Sequence, residues 1–156
     1  MSITSKIKKH QTSLRDVTYG EGVTIVEPSN LYECNLGDNV FVGPFCEIQA
    51  GVRIGKNTRI QSHSFVCELV TIEDDCFIGH GVMFINDLFE LGMPNTDPEL
   101  WRETKISSNV SIGSNATILP VSICSNVVIG AGSVVTKDII ESGIYVGNPA
   151  VKIRDI

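Results

Sequence analysis

The sequence predicts an all-β chain that winds into a parallel β-helix, a solenoid with three short strands in each turn. Three periodic columns of residues support this prediction. In the first column, an aliphatic or phenylalanine side chain recurs at every sixth residue. This period fits neither the 3.6-residue turn of a helix nor the alternation of a single strand, whereas a fixed repeat length is typical of solenoids. The column consists of Leu36, Val42, Ile48, Ile54, Ile60, Val66, Ile72, Ile78, Phe84, Ile106, Ile112, Ile118, Ile123, Ile129 and Val135.

The second column predicts the corners of the solenoid. Each residue of the first column starts one six-residue repeat. An Asn or Asp lies three residues after every third start, at Asn39, Asn57, Asp75, Asn109 and Asn126. The first three follow one another at intervals of 18 residues. Asn and Asp are the non-glycine residues that best tolerate a left-handed backbone, so they suit sharp corners. The spacing therefore predicts a triangular prism with six-residue sides and one stacked column of Asn and Asp side chains.

The third column holds small or β-branched side chains, four residues after each start. We expect these side chains to point into the prism, where little room remains beside the aliphatic residue. The column consists of Val40, Cys46, Val52, Thr58, Ser64, Val70, Cys76, Val82, Val110, Ala116, Val127 and Ser133. Its two cysteines are therefore interpreted as buried spacers.

Composition limits the classes of function. The 156 residues suffice for one domain over 1–156, and the net charge of −6 provides no basic surface for nucleic acid. No 18-residue apolar run is present, and Met1–Lys9 lacks the apolar stretch of a signal peptide. Five cysteines, an odd number without a C-x-x-C pair, fit a reducing compartment. We expect a soluble, cytoplasmic protein without a membrane or nucleic-acid partner.

Beyond an irregular start, the repeat breaks at three places, and such departures are where function is expected. Residues 1–30 form an irregular start or an imperfect coil, before a β-helix over 31–140. Residues 85–105 form a long loop with the chain's one tryptophan, expected to pack on the prism or on a neighbouring subunit. The step from Ile118 to Ile123 is one residue short. Residues 141–156 are predicted to form a turn around Gly147–Pro149 and a short helical tail.

Two histidines and an Asn-Asp pair are the candidate catalytic residues. His63 and His80 lie one coil apart and one step out of vertical alignment, so they could serve as a general base and its partner. Alternatively, they are exposed corner residues bonded to backbone carbonyls. Asn86 and Asp87 stand where the long loop begins. They either start the loop or orient a substrate.

Several stretches resemble known enzymes. Residues 112–120 (IGSNATILP), 128–138 (VIGAGSVVTKD) and 147–150 (GNPA) resemble the hexapeptide-repeat acyltransferases that use acetyl-CoA. Residues 39–45 (NVFVGPF), 60–65 (IQSHSF) and 78–87 (IGHGVMFIND) resemble, more specifically, N-acetyltransferases of nucleotide-linked 3-amino sugars in surface-polysaccharide biosynthesis. The resemblance covers roughly residues 28–153. It implies a left-handed β-helix and a homotrimer with active sites between adjacent prisms.

The resemblance also implies a cofactor groove for acetyl-CoA. Backbone groups around Ser114 and Ala131 are expected to bind the pantetheine arm, with Lys137 near the phosphates. A backbone N–H near Gly81 is expected to stabilise the oxyanion. The three-histidine zinc site of the γ-class carbonic anhydrases, which share the prism, requires an H-x4-H spacing that is absent here. We therefore expect no metal.

On the acceptor side, the resemblance assigns Asn86 to orienting the amine and His80, supported by His63, to accepting its proton. Asp87 and Glu68 are expected to bind the substrate, a dTDP- or UDP-linked amino sugar. A sugar amine is already partly neutral near pH 8, so the demand for a base is modest. An O-acetyltransferase, which needs a firm histidine base, and a non-catalytic β-helix assembly module are the alternatives.

Overall fold

The computed structural model describes residues 13–156, and almost every element in this range is a strand of two or three residues. The strands stack into three parallel sheets. Sheet A contains β1 (Leu14–Arg15), β4 (Asn30–Tyr32), β7 (Glu47–Ile48), β10 (Phe65–Val66), β13 (Met83–Phe84), β16 (Thr117–Ile118) and β19 (Val134–Val135). Sheet B contains β2 (Thr18–Tyr19), β5 (Asn35–Leu36), β8 (Arg53–Ile54), β11 (Val70–Ile72), β14 (Thr104–Ile106) and β17 (Ser122–Ile123). Sheet C contains β3 (Thr24–Ile25), β6 (Phe41–Val42), β9 (Arg59–Ile60), β12 (Phe77–Ile78), β15 (Val110–Ile112), β18 (Val127–Ile129), β20 (Gly143–Gly147) and β21 (Ala150–Arg154).

The chain visits sheets B, C and A in turn, so each coil supplies one strand to each face of a triangular prism. Neighbouring coils pair in register, as Phe41, Arg59 and Phe77 do in sheet C. This arrangement confirms the predicted parallel β-helix and is consistent with the left-handed hand that the resemblance implies. The first strands, β1 to β3, pair with β4 to β6, so regular stacking begins at Leu14. Met1–Lys9 and His10 lie outside the described residues.

The interior of the prism is the core. Every residue of the predicted six-residue column is buried, and none is more than 4% exposed. The column of small residues is buried as well, which confirms that Cys46 and Cys76 are spacers. Its hydroxyl groups are satisfied by the next coil, because Thr58 Oγ1 donates to the Glu73 carbonyl at 3.0 Å and Ser64 Oγ to the Gly79 carbonyl at 2.9 Å. Polar spacers are therefore tolerated inside an otherwise apolar core.

The corner between sheets B and C, here called the Asn corner, confirms the second column. Its residues adopt positive φ values of 57° to 68°: Gly22, Asn39, Asn57, Asp75, Asn109 and Asn126. Their side chains stack along the prism, because the Asn39 amide nitrogen donates to Asn57 Oδ1 at 3.1 Å. The Asn57 amide nitrogen in turn donates to Asp75 Oδ1 at 2.9 Å. Asn supplies both the backbone conformation and the bond to the next coil.

Replacing Asn57 by Ala is expected to lower the free energy of unfolding by about 1–3 kcal/mol. The substitution removes both stacked hydrogen bonds and leaves an alanine in the left-handed region. Asn57→Gly loses the same bonds but keeps a permitted backbone conformation, so it should cost less. Equilibrium unfolding in urea measures both variants. A glycine variant less stable than the alanine variant would contradict the role given to the corner.

The other two corners carry the functional candidates. The corner between sheets C and A, here called the His corner, has positive φ at Phe45, His63, Gly81, Asn115 and Gly132. The corner between sheets A and B, here called the loop corner, has positive φ at Asp16, Glu33, Gly51 and Leu69. The long loop leaves the prism at the loop corner after β13 and contains one 3-10 turn, Pro98–Leu100. It ends at Thr104, slightly before the predicted boundary, because Thr104 pairs with Val70 and rejoins sheet B.

The short step from Ile118 to Ile123 falls on the loop corner. It keeps the register of sheet B, since Ser122 pairs with Lys105 and Ile123 with Ile106. Residues 119–121 contain no left-handed residue, unlike the lower coils at this corner. The missing residue is therefore taken from the corner and not from a strand.

The predicted helical tail is wrong. Residues 143–154 form an antiparallel hairpin of β20 and β21, with Val146 opposite Val151 and Gly147 opposite Ala150. The reason is the edge of the last coil, whose backbone groups need partners. Strand β20 pairs with β18 and satisfies them, and the alternating Ile144, Val146, Val151 and Ile153 suit strands. Within residues 13–156, no helix has the length and apolarity to cross a bilayer.

Candidate active site

His80 lies on the His corner and is held by the coil below. Its Nδ1 is 2.9 Å from Ser62 Oγ, and its carbonyl accepts a hydrogen bond from the Asn115 amide at 2.8 Å. The ring is exposed. Because Nδ1 is engaged, Nε2 is the ring nitrogen left to meet a ligand. The 18-residue spacing between Ser62 and His80 could have revealed this pair, but serine is too common to attract notice.

His63 does not contact His80. It occupies the corner position itself, with a φ of 64°, and its ring lies 4.9 Å from that of Phe45 in the coil below. The residue that stacks above His63 is Gly81. The structure thus keeps both histidines on one exposed edge but gives His80 a serine partner instead of a second imidazole.

The residues that precede the left-handed residues of the His corner stack in a vertical column. The backbone carbonyl of each accepts a hydrogen bond from the backbone amide of the corner residue in the next coil. From the N-terminal end the column reads Pro28, Pro44, Ser62, His80, Ser114 and Ala131. The two prolines have no N–H. Within residues 13–156, the N–H groups of the remaining four have no acceptor. We call Ser62, His80, Ser114 and Ala131 the free amide column.

On the other corners, side chains accept from several of the matching amides. On the Asn corner, Asp38 accepts from the Glu21 amide at 2.8 Å and Asp74 accepts from the Lys56 amide at 2.9 Å. On the loop corner, Gln49 Oε1 accepts from the Glu68 amide at 3.3 Å. Unpaired backbone donors are rare in folded proteins unless water or a ligand completes them. The free amide column is therefore a place where ligand carbonyls can bind.

Glycines keep this column accessible. An added Cβ at Gly79 would lie 2.7 Å from the Ser114 nitrogen, and one at Gly113 would lie 2.4 Å from the Ala131 nitrogen. A side chain at either position would cover the donor of the next coil. The predicted oxyanion donor needs correction, because the Gly81 amide already donates to the Ser62 carbonyl at 3.0 Å. The free N–H of Ser114, one coil above His80, is the available alternative.

Asn86 lies at the opposite edge of sheet A. Its amide nitrogen donates to the Glu68 carbonyl at 3.4 Å, and its own carbonyl accepts from the Arg102 amide at 2.9 Å. Asn86 therefore stacks on Glu68 and closes the base of the long loop. The charge of Glu68 acts on Tyr32, whose pKa is raised by burial and by the charges of Glu47 and Glu68.

Asp87 organises the loop. Its Oδ1 accepts from the Phe89 amide at 2.9 Å and the Asn95 side chain at 2.7 Å, and its Oδ2 accepts from the Asn95 amide at 2.7 Å. Desolvation opposes ionisation, but these hydrogen bonds outweigh it and lower the pKa of the Asp87 carboxyl. Trp101 joins the same network, since its Nε1 donates to the Asn95 carbonyl at 3.3 Å. Both Asp87 oxygens are thus used within the protein.

Acidification is expected to open the loop. Because the folded-state pKa of Asp87 is lowered, its bonds stabilise the loop above the ordinary carboxyl pKa of about 3.9 and are lost as pH falls through the lower folded value. The emission of Trp101, the one tryptophan of the chain, reports this change. The Asp87→Asn variant should lack this acid transition. Identical pH curves for both proteins would contradict the role of the carboxylate.

A pocket of about 300 Å³ lies between the loop and the outer face of sheet A. Its walls include the aromatic residues Phe65, Phe89 and Trp101, and Asn86 borders it. The loop therefore packs partly on the prism, as expected, but it leaves Phe89, Leu91 and Met93 more than half exposed.

The predicted site residues fall into two groups. His63, His80, Gly81, Ser114 and Ala131 share the His corner. Glu68, Asn86, Asp87 and Lys137 lie beyond the other edge of sheet A, where Lys137 is exposed after β19. The five residue steps from Gly81 to Asn86 span roughly 16 Å at about 3.3 Å each. Within residues 13–156, no three His, Cys, Asp or Glu side chains gather around a possible metal position.

Comparison with known proteins supports the repeat assignment. The family model described as bacterial transferase hexapeptide (six repeats) matches residues 33–68, and that described as hexapeptide repeat of succinyl-transferase matches residues 69–83 and 104–137. The bifunctional protein GlmU of Streptococcus uberis is 30% identical over 115 residues, which is 69% of this chain and 25% of GlmU. The chain thus spans about a quarter of this curated relative.

Solved structures share the fold. The structure of a mutant of AntD, an N-acyltransferase from Bacillus cereus in complex with dTDP and coenzyme A, is 24% identical. The match covers 91% of this chain and 82% of AntD, with a TM-score of 0.66. A mutant of perosamine N-acetyltransferase from Caulobacter crescentus, in complex with CoA and GDP-perosamine, is 20% identical. That match covers 89% of this chain and 58% of the other, with a TM-score of 0.65.

Proposed function

We propose, from the premise that this chain belongs to the hexapeptide-repeat proteins of the bacterial transferase type, that it is an acetyl-CoA-dependent N-acetyltransferase. Its acceptor would be the amino group of a dTDP- or UDP-linked 3-amino sugar used in surface-polysaccharide biosynthesis. The free amide column carries the proposal. Four stacked donors without protein acceptors, next to an exposed imidazole, suit a ligand that presents carbonyl oxygens along an extended arm. Acyl-pantetheine is such a ligand.

The chemistry needs positioning more than a strong base. The amine attacks the thioester carbon, the carbonyl oxygen gains negative charge, and the thiolate of CoA leaves. A free N–H in the column, such as that of Ser114, stabilises the oxyanion. The amine loses its proton to His80 Nε2. A strong base is not required for this transfer, because much of the amine is neutral near pH 8. Asn86 orients the acceptor.

A second copy of the chain is needed to bring these groups together, because His80 and Asn86 lie at opposite edges of sheet A. The outer faces of the sheets favour such an assembly. Sheet B is polar outside, with Asn35, Arg53 and Lys105, whereas Met83 on sheet A and Phe77 on sheet C are each 40% exposed. Exposed apolar faces on both sides of the His corner are suited to subunit contacts. We propose a homotrimer in which His80 of one copy faces Asn86 of the next.

The direct test is release of the CoA thiol. Acetyl-CoA is incubated with dTDP- and UDP-linked 3-amino sugars and, as matched controls, with the same sugars bearing a 3-hydroxyl. The proposal predicts release with an amine and little with its hydroxyl counterpart. Equal release from both would indicate an O-acetyltransferase, and no release from any amine would leave an assembly module as the better account.

Protein thiols should not obscure this assay. Burial raises the pKa of Cys34 to about 11 and that of Cys67 to about 12. Cys46 and Cys76 are also buried with raised pKa values. Since the thiolate is the reactive form, these residues react slowly with thiol reagents. A blank without acceptor corrects for Cys124, which is partly exposed.

A further inference from the structure

We propose that Ser62 is a positioning residue that fixes the tautomer of His80. The inference rests on the proposed function for its catalytic consequence, but its structural part can be tested alone. Ser62 Oγ lies 2.9 Å from His80 Nδ1, and within residues 13–156 the hydroxyl has no other hydrogen-bond partner. The Ser62 backbone is fixed independently, because its carbonyl accepts the Gly81 amide at 3.0 Å. The serine is thus a rigid support beneath the ring.

A hydroxyl can accept from a protonated Nδ1 or donate to a bare one. Only the first arrangement leaves a lone pair on Nε2, the nitrogen that faces a ligand. In that tautomer Nε2 takes the proton of the amine, and the Nδ1–H bond to Ser62 persists in the imidazolium. In the opposite tautomer Nε2 already carries its proton and cannot accept another. The proposed reaction requires the first arrangement, in which Ser62 accepts from Nδ1–H and directs its own hydrogen to solvent.

This arrangement is specific to His80. His63, the other described histidine, stacks on Phe45 and has no hydrogen-bonded side chain at its ring nitrogens. His63 therefore provides an internal reference in the same protein. If Ser62 only packed against His80 without a hydrogen bond, the rings of His80 and His63 would have the same tautomer.

The test is nitrogen NMR of the imidazole rings, with His63 and His80 assigned by substitution. In the wild-type protein, the neutral ring of His80 should carry its proton on Nδ1. In Ser62→Ala it should move to Nε2, while His63 is unchanged, and Ser62→Thr should restore the original pattern. A His80 protonated on Nε2 in both wild type and Ser62→Ala overturns the proposal.

Kinetics then test the consequence. With the amino-sugar substrate, kcat of Ser62→Ala should fall about ten-fold, part of the loss expected for a general base, while KM for acetyl-CoA stays constant. Ser62→Thr should recover kcat, and Ser122→Ala, on the polar outer face of sheet B in β17, should match the wild type. An unchanged kcat in Ser62→Ala alongside an active wild type contradicts the positioning role. If the wild type transfers no acyl group, the proposed function is wrong. The NMR result then still decides whether Ser62 fixes the tautomer of His80.

Discussion

Replacing Asn86 by Ala is expected to lower kcat/KM for the amino-sugar acceptor about a hundred-fold, because misplacing a reacting group by about 1 Å costs a factor of this size. Asn86 stacks on Glu68 at the base of the loop and borders the aromatic pocket. The Asn86→Ala variant should keep its KM for acetyl-CoA, since Asn86 is assigned to the acceptor and the free amide column to the cofactor. Steady-state kinetics with each substrate varied in turn measures both quantities.

Two variants make this result interpretable. Asn35→Ala removes an exposed amide from the polar face of sheet B and should match the wild type. His80→Ala should lower kcat/KM for the amino-sugar acceptor only about ten- to a hundred-fold, because the amine is partly neutral even without a general base. If Asn86→Ala and His80→Ala both retain full kcat/KM, the site is assigned wrongly. A loss at Asn86 with none at His80 would favour transfer without an enzymatic base.

Replacing Phe84 by Ala is expected to lower the free energy of unfolding by about 3–5 kcal/mol. Phe84 is fully buried in the prism and is the largest residue of the six-residue column. It is also the last core residue before the long loop, so the cavity would lie where the coil is interrupted. Urea denaturation monitored by circular dichroism measures the loss.

Phe89 provides the matched control for this substitution. It is the same residue type, five positions later, but 55% of it is exposed on the loop. Phe89→Ala should cost less than about 1 kcal/mol, as is usual at the surface. Equal losses in the two variants would mean that the prism interior is not the source of stability.

The sequence predicts the coils well because their causes are local. A corner needs a residue that tolerates positive φ, and a narrow interior needs a repeating pattern of large and small side chains. The residue types of Asn57 and Ile72 therefore suffice to predict that one lies at a corner and the other in the core. The loop corner is less explicit, since Glu33 and Leu69 adopt positive φ without the usual residue type. At these positions the stacking of whole coils imposes positive φ against the preference of the residue type.

The features that the sequence does not predict depend on partners distant in the chain. The C-terminal hairpin forms because β18 offers an open edge, which no local propensity reveals. Gly81 cannot serve as a donor because the Ser62 carbonyl already takes its hydrogen. The free amides of Ser114 and Ala131 emerge only when every backbone donor is traced to its acceptor. The role of Asp87 likewise depends on how the loop returns to Asn95.

Mixed oligomers test most directly whether the active site is shared between copies. Asn86→Ala and His80→Ala are co-expressed in equal amounts, and acyl transfer to the amino sugar is compared with that of each variant alone. If His80 of one copy faces Asn86 of the next, about one quarter of the sites in a random mixed ring contain both intact residues, and activity should rise toward a quarter of the wild-type value. Activity no higher than the average of the two single variants would contradict the shared site.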